Sequence, residues 1–273
     1  MLEPLLEPLS YDFMQRALLA AVLMSVSCAA ISTFVVLRGL SFMGAGVAHA
    51  ALGGIGLAVF VGVSPLLGAL LFALLLAFVA GYAGQKGSAK RMDVAIGVFF
   101  AFGMALGVLF ISLLKEYAVQ FWALIFGDIL AVSDFDLTLM AALAVVVIAA
   151  VTLFFREFQA ITFDFEAALA SGINATFYHY FMLTLIALSV VVALKCVGVL
   201  LVFAMLTAPA AAAYELSKTV RGMLLLSIAF ALVSSILGLL ISFYVPFATS
   251  ALIVIILSAI FFGSLAAASL RKH

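Results

Sequence analysis

The chain reads as a succession of long apolar runs separated by short breaks that carry charge, Pro and Gly. Runs near 13–37, 43–62, 65–84, 93–114, 135–155, 174–194, 196–214, 221–242 and 247–268 each approach the roughly 20 apolar residues that a helix needs to cross a bilayer. Lipid offers no partner to backbone N–H and C=O groups, so runs of this length predict helices, which satisfy those groups internally. The pattern predicts an all-α, polytopic transmembrane helical bundle of eight or nine spans. The run 196–214, short and interrupted by Pro209, is the weakest spanner. A further stretch, Phe121 to Val132, is bounded by Lys115, Glu116, Asp134 and Asp136 and is too short to cross, which predicts a re-entrant or interfacial piece. The run Phe13 to Leu37 is too long for the core of a signal peptide and reads as a retained first span.

Composition agrees with the pattern. Of the 273 residues 68% are apolar and only 9% charged, against about 45–50% and about 25% in a soluble domain, so a soluble globule and a disordered chain are excluded. The runs fill nearly the whole length, which makes residues 1–273 one membrane domain. A net charge of zero provides no basic face for nucleic acid. Cys28 and Cys196 lie in apolar runs without ligand-like spacing, so neither a disulfide framework nor a thiolate metal site is indicated.

Positive residues are retained on the cytoplasmic side, and they set the expected orientation. With the breaks at 85–92, 156–173 and 215–221 and the C-terminus inside, the bases Arg38, Lys86, Lys90, Arg91, Arg156, Lys218, Arg221, Arg271 and Lys272 are cytoplasmic. Only Arg16, Lys115 and Lys195 are then outside, with the acidic N-terminus.

Ionisable groups at membrane depth are costly and therefore informative. The second run contains GAGVAHAALGGIG, residues 44–56, with His49 in mid-membrane. At helical spacing Gly46, Gly53 and Gly54 lie near the face of His49, which predicts close approach of another backbone. His49 is either a structural histidine bonded to a neighbouring helix or an imidazole on a translocation path; neutral imidazole is a common ligand of first-row divalent metals.

The break at 156–173 holds a second local signal. Asp164 is placed to cap a helix, Glu166 puts negative charge in its first turn, Ala167 to Ser171 continue it, and Gly172 supplies a stop. Phe163, Phe165 and Leu169 give this short helix an apolar side, suited either to a groove on another protein or to the membrane surface. His179 and His273 read as ordinary interfacial residues, and Met43, Met104 and Met205 as packing.

Other chemistry is missing from the sequence. The segment GQKGSAKR, 84–91, lacks the Gly-Lys-Ser/Thr ending of a phosphate-binding loop, and no other segment has one. There is no HExxH, no Gly-x-Ser-x-Gly and no paired intramembrane carboxylates, so an enzyme has no visible constellation. Any ATP-derived work must come from another polypeptide.

Taken together the chain resembles the membrane subunits of zinc, manganese and iron ABC importers, the ABC-3 permease family. The resemblance rests on LRGLSFMGAGVAHAALGG at 37–54, MDVAIGVFFAFGMALG at 92–107, FGDILAVS at 126–133, FDFEAALASG at 163–172 and VGVLLVFAMLTAPAAAA at 197–213, in that order. It implies a type II ABC importer-like permease in the cytoplasmic membrane that pairs as a homodimer, binds two ATPase subunits and accepts metal from an extracytoplasmic solute-binding protein. No cofactor is implied; the divalent metal (zinc, manganese or iron) is cargo. The resemblance also implies that the 163–172 helix, with Phe163, Asp164, Glu166, Ala167 and Gly172, is the element seated on the ATPase, and that His49 lies on the metal path. Similar permeases often carry Gly-Asp-x-x-x-His here, with a carboxylate four residues before the histidine on the same helical face; this chain has Ala45 at that position. The remaining donors must then come from neighbouring helices or from the His49 of a symmetry mate, unless the site is only a transient resting point. The competing expectation is a secondary transporter or channel working without an ATPase, against which stands the scarcity of intramembrane carboxylates for ion coupling.

Overall fold

The computed structural model describes residues 7–85, 89–113, 127 and 129–271. Ten α-helices occur among them: α1 (Asp12–Leu37), α2 (Met43–Val61), α3 (Pro65–Gln85), α4 (Ala89–Leu113), α5 (Asp134–Leu153), α6 (Phe155–Phe163), α7 (Phe165–Ala170), α8 (Ala175–Leu216), α9 (Val220–Tyr244) and α10 (Thr249–Arg271). Eight of these are long and apolar enough to cross a membrane, all except α6 and α7. The fold is the all-helical membrane bundle expected from the runs.

One of the eight differs from the simple reading. Helix α8 has 42 residues, which would extend about 63 Å if straight, twice the roughly 30 Å of bilayer hydrocarbon. It is not straight. Gly198 has φ 81° and ψ 168°, a conformation essentially reserved for glycine. Lys195, just before it, pairs with Asp136 at the start of α5, whereas Tyr178 packs on Phe154 at the end of α5, with ring centroids 5.5 Å apart. Beyond Gly198, Ala210 and Ala213 pack with Met223 against Val36 and Leu37 at the end of α1. Arg221 in turn lies over the Phe155 ring. Both ends of α8 therefore lie at the same end of the bundle, and its two limbs, 175–197 and 199–216, are the two sequence runs 174–194 and 196–214 folded back on each other. The described chain traverses the bundle nine times with eight spanning helices.

The remaining contacts sort the two ends. The start of α1, the α2–α3 turn, the start of α5, Gly198 and the α9–α10 turn share one end, because Tyr11 packs on Phe243 at 5.7 Å and Arg16 pairs with Asp134 at 3.0 Å. The α1–α2 turn, the start of α4, α6, α7 and the α8–α9 turn share the other. Arg38, Lys90, Arg91, Arg156, Lys218, Arg221 and Arg271 belong to this second end by chain position, and Arg16 and Lys195 to the first. Lys86, Lys115, Lys272 and His273 lie outside the described residues.

Helices α1, α2 and α8 form the core. Ser25 bonds Ser235 across α1 and α9 at 2.8 Å, and Ser227 donates to the Ala29 carbonyl at 3.1 Å, so buried hydroxyls rather than charges join these helices. Helix α2 makes close backbone contacts on two sides. A Cβ at Gly53 would lie 2.5 Å from the Gly103 carbonyl of α4, and one at Gly54 would lie 2.1 Å from the Gly68 carbonyl of α3. Glycines thus admit two backbones to two faces of α2. Gly46 and Gly53 face α4, as expected from the face of His49, whereas Gly54 turns to α3.

The expected re-entrant stretch, 121–132, falls partly outside the described residues. Its described end is a short 3-10 turn, Ile129–Ala131, with Ile129 buried. Gly127 lies so close to the Val197–Gly198 peptide that a Cβ would fall 2.1 Å from the Val197 carbonyl carbon.

Candidate functional site

His49 is carried by α2 and is half-buried. Its Nδ1 lies 2.8 Å from the carbonyl oxygen of Ala45, one turn earlier. A carbonyl only accepts, so Nδ1 donates and holds the proton. In the neutral ring Nε2 then keeps its lone pair and can act as a metal ligand. The ring packs on Phe100 of α4, with centroids 4.2 Å apart. Parallel pairing of α2 and α4 creates this contact: Gly46 meets Ile96 and Gly53 meets Gly103, so the helices run side by side in step.

Next to this ring lies a cleft of about 250 Å³, lined by Phe42, Asp93, Ile96, Gly97 and Phe100. Phe42 and His49 share a face of α2, being seven residues apart; Asp93, Gly97 and Phe100 share a face of α4. The cleft is on the outside of the bundle, where Phe42, Val94, Val98 and Phe102 are exposed. Among the described residues no three His, Cys, Asp or Glu side chains converge as ligands of one ion. What the single chain provides is one imidazole packed on Phe100 and one carboxylate, Asp93, in the cleft that Phe100 also lines. Sequence reasoning misses Asp93 because it stands at the very start of the run 93–114; spacing within its own helix does not reveal its neighbour on α2.

The second candidate, the break at 156–173, folds as two helices. Asp164 caps α7 by accepting from the Ala167 N–H at 2.9 Å. Glu166 lies in the first turn. Gly172, at φ 84°, ends the helix: its N–H donates to the Leu169 carbonyl at 3.0 Å, and that of Ile173 to the Ala168 carbonyl at 3.1 Å. These are the paired bonds of a Schellman motif. Phe163 and Leu169 are 66% and 41% exposed, so an apolar surface faces outward beyond the bundle. Phe165 turns the other way and meets the His179 ring at 6.1 Å.

Two readings change here. His179, expected as an ordinary residue near the start of a span, is 2% exposed, with the Phe165 ring of α7 edge-on to it at 6.1 Å. The chain before Asp164 is not loop but helix α6, whose Phe158 and Ile161 are buried and whose Phe158 packs on Phe34 at 5.5 Å. The spacing of Phe155, Phe158 and Ile161 is the signal that would have found it. At the same end, burial lowers the pKa of the Arg38 guanidinium to about 10, which leaves it a cation at neutral pH.

At the other end of the bundle Ser133 and Asp136 form a capping box at the start of α5, and Asp136 accepts from Lys195. The Ser-x-x-Asp spacing in the sequence marks that box.

The sequence model of the ABC 3 transport family matches residues 10–268. The manganese transport system membrane protein MntC of Listeria monocytogenes is 37% identical over 254 residues, covering 93% of this chain and 90% of that protein. A probable iron transport system membrane protein of Haemophilus influenzae is 34% identical and covers 99% of both chains. In the solved structure of PsaBC from Streptococcus pneumoniae in complex with Fab, the matching chain superposes with a TM-score of 0.84 at 33% identity, over 97% of this chain and 95% of that one. The family match spans nearly the whole chain, the relatives exceed 30% identity over most of it, and the chain belongs to the ABC-3 transport family.

Proposed function

We propose that this chain is the permease subunit of an ABC importer for a divalent transition metal, a transport subunit rather than an enzyme. Two copies pair in the cytoplasmic membrane with two separate ATPase subunits and receive the ion from an extracytoplasmic solute-binding protein. The end bearing α6 and α7 is cytoplasmic and the end bearing Gly198 is extracytoplasmic, which leaves most Lys and Arg inside. The N-terminus is then outside and the C-terminus inside, as an odd number of traverses requires.

The observation that carries this reading is His49, half-buried in a helix long and apolar enough to span, with Nδ1 engaged by the Ala45 carbonyl and its ring packed on Phe100 beside the α2–α4 cleft. An imidazole and a carboxylate facing lipid would be costly. A second copy placed against the α2–α4 face removes that cost and brings a second His49 to the axis. Manganese and iron are the cargoes named for the relatives, and imidazole with carboxylate suits either. The capped α7, with Phe163 and Leu169 exposed, is the surface through which ATP-driven movement of the partner reaches the bundle. Residues Phe163, Asp164, Glu166, Ala167 and Gly172 build that surface, the aromatic as contact and the others as its frame.

Reconstitution tests the proposal. Chain, ATPase and binding protein in liposomes should accumulate Mn²⁺ only with ATP, and absence of ATP-dependent uptake defeats the functional reading. His49→Ala should abolish uptake in an assembled complex; undiminished uptake removes His49 from the path.

A further inference from the structure

The geometry points to Asp93 as the acidic ligand of the path, supplying from α4 the carboxylate that Ala45 denies to α2. This inference rests on the permease reading above and assigns a residue within it. Four observations meet at Asp93. It lines the cleft of about 250 Å³ together with Phe100, the residue on which the His49 ring packs at 4.2 Å. It shares a face of α4 with Gly97 and Phe100, and that face looks onto the face of α2 that carries Phe42 and His49. It is exposed and makes no hydrogen bond or ion pair among the described residues. Finally, it is the fifth residue of its helix, past the first turn in which a carboxylate is held by the helix dipole.

The register fixes its place along the path. With Gly46 opposite Ile96 and Gly53 opposite Gly103, Asp93 stands level with Met43, about 9 Å along the axis from His49 towards the α6–α7 end. That is too far for one ion to touch both groups of one chain. It is the spacing of two successive stations, an imidazole in mid-membrane and a carboxylate at the exit, each doubled by the second copy. A carboxylate station nearer the cytoplasm draws a divalent cation off a neutral imidazole. Sites that are separate and individually weak allow the ion to leave. Gly97, where an added Cβ would meet nothing within 4 Å, puts no side chain between the stations.

The test uses the complete complex in liposomes with Mn²⁺ as probe, measuring initial uptake rate against Mn²⁺ concentration for Asp93→Asn, Asp93→Glu and His49→Ala, with elution profile and ATPase association as the check on assembly. Expected is at least about a tenfold loss of kcat/KM in Asp93→Asn, as for loss of a metal-orienting group, with Asp93→Glu within threefold of the unsubstituted protein. Restoring an acid on the other helix, Ala45→Asp in the Asp93→Asn background, should recover part of the rate. Uptake by Asp93→Asn within twofold of the unsubstituted complex, while His49→Ala abolishes it, overturns the assignment and leaves the permease reading standing. Equal losses in Asn and Glu overturn it in favour of a packing role. If neither Asp93→Asn nor His49→Ala matters, the path itself lies elsewhere.

Discussion

At the α2–α3 crossing the backbones of Gly54 and Gly68 meet directly, and a methyl group is enough to test it. In Gly54→Ala the new Cβ falls 2.1 Å from the Gly68 carbonyl oxygen and 2.7 Å from its carbon. Both are backbone atoms and neither rotates away. Ordinary contact begins near 3.4 Å, so the helices must separate by about 1.3 Å at that point. Overpacking of this kind costs about 1–3 kcal/mol, partly offset by the roughly 1 kcal/mol that Ala gains over Gly in a helix, for a net loss of about 1 kcal/mol. Gly68→Ala meets the same obstacle from the other side, at 2.2 Å from the Gly54 carbonyl, and should cost as much. Once one substitution has opened the crossing, the second has less to displace, so the double variant should lose less than the two singles together by at least about 0.5 kcal/mol. Unfolding of the purified protein in mixed micelles, followed by far-ultraviolet circular dichroism against the mole fraction of SDS, reads all three values. Gly263→Ala, with nothing within 4 Å of its Cβ, is the matched control and should be neutral or stabilising. Single variants within about 0.5 kcal/mol of the unsubstituted protein, or strictly additive losses, would show that the two backbones do not meet there.

Other expectations follow from single residues. Gly198→Ala puts a Cβ where φ is 81° and ψ 168°, costing about 1–3 kcal/mol at the point where α8 reverses, and should lower the yield of monodisperse protein in detergent. Asp164→Ala removes the acceptor of the Ala167 N–H, a loss of about 1 kcal/mol; amides of α7 should then exchange about fivefold faster by mass spectrometry, ATP-driven uptake should fall, and Asp164→Asn should retain both. Lys195→Met leaves Asp136, whose side chain is 12% exposed, without its cation, and should destabilise by about 1–2 kcal/mol, discounted because Lys195 itself is partly exposed. Replacing both partners, Lys195→Met with Asp136→Leu, should recover most of that in the same SDS titration.

What can be read from the sequence is what neighbours in the chain decide. A bilayer imposes a length, so the apolar runs locate the spans to within a few residues, including both limbs of α8. A helix cap is a matter of residues three apart, so Asp164 and Gly172 mark α7 by their spacing alone. His49 stands out because an imidazole at membrane depth has few reasons to be there. Tertiary structure decides everything that depends on which helix lies beside which. The reversal of α8 at Gly198 shows only in the contacts of Lys195 with Asp136 and of Ala213 with Leu37, residues far apart in sequence. His179 reads as interfacial from its place in the chain, and only the fold buries it beside the Phe165 ring. Asp93 reads as a charge at the edge of a span; only the in-step pairing of α2 and α4, permitted by Gly53 and Gly103, sets it beside the face of His49. Lipid solvates apolar side chains equally on every helix face, so hydrophobic pattern determines that a segment crosses but not what it packs against. That choice falls to small residues and the few polar groups, and it is made in three dimensions.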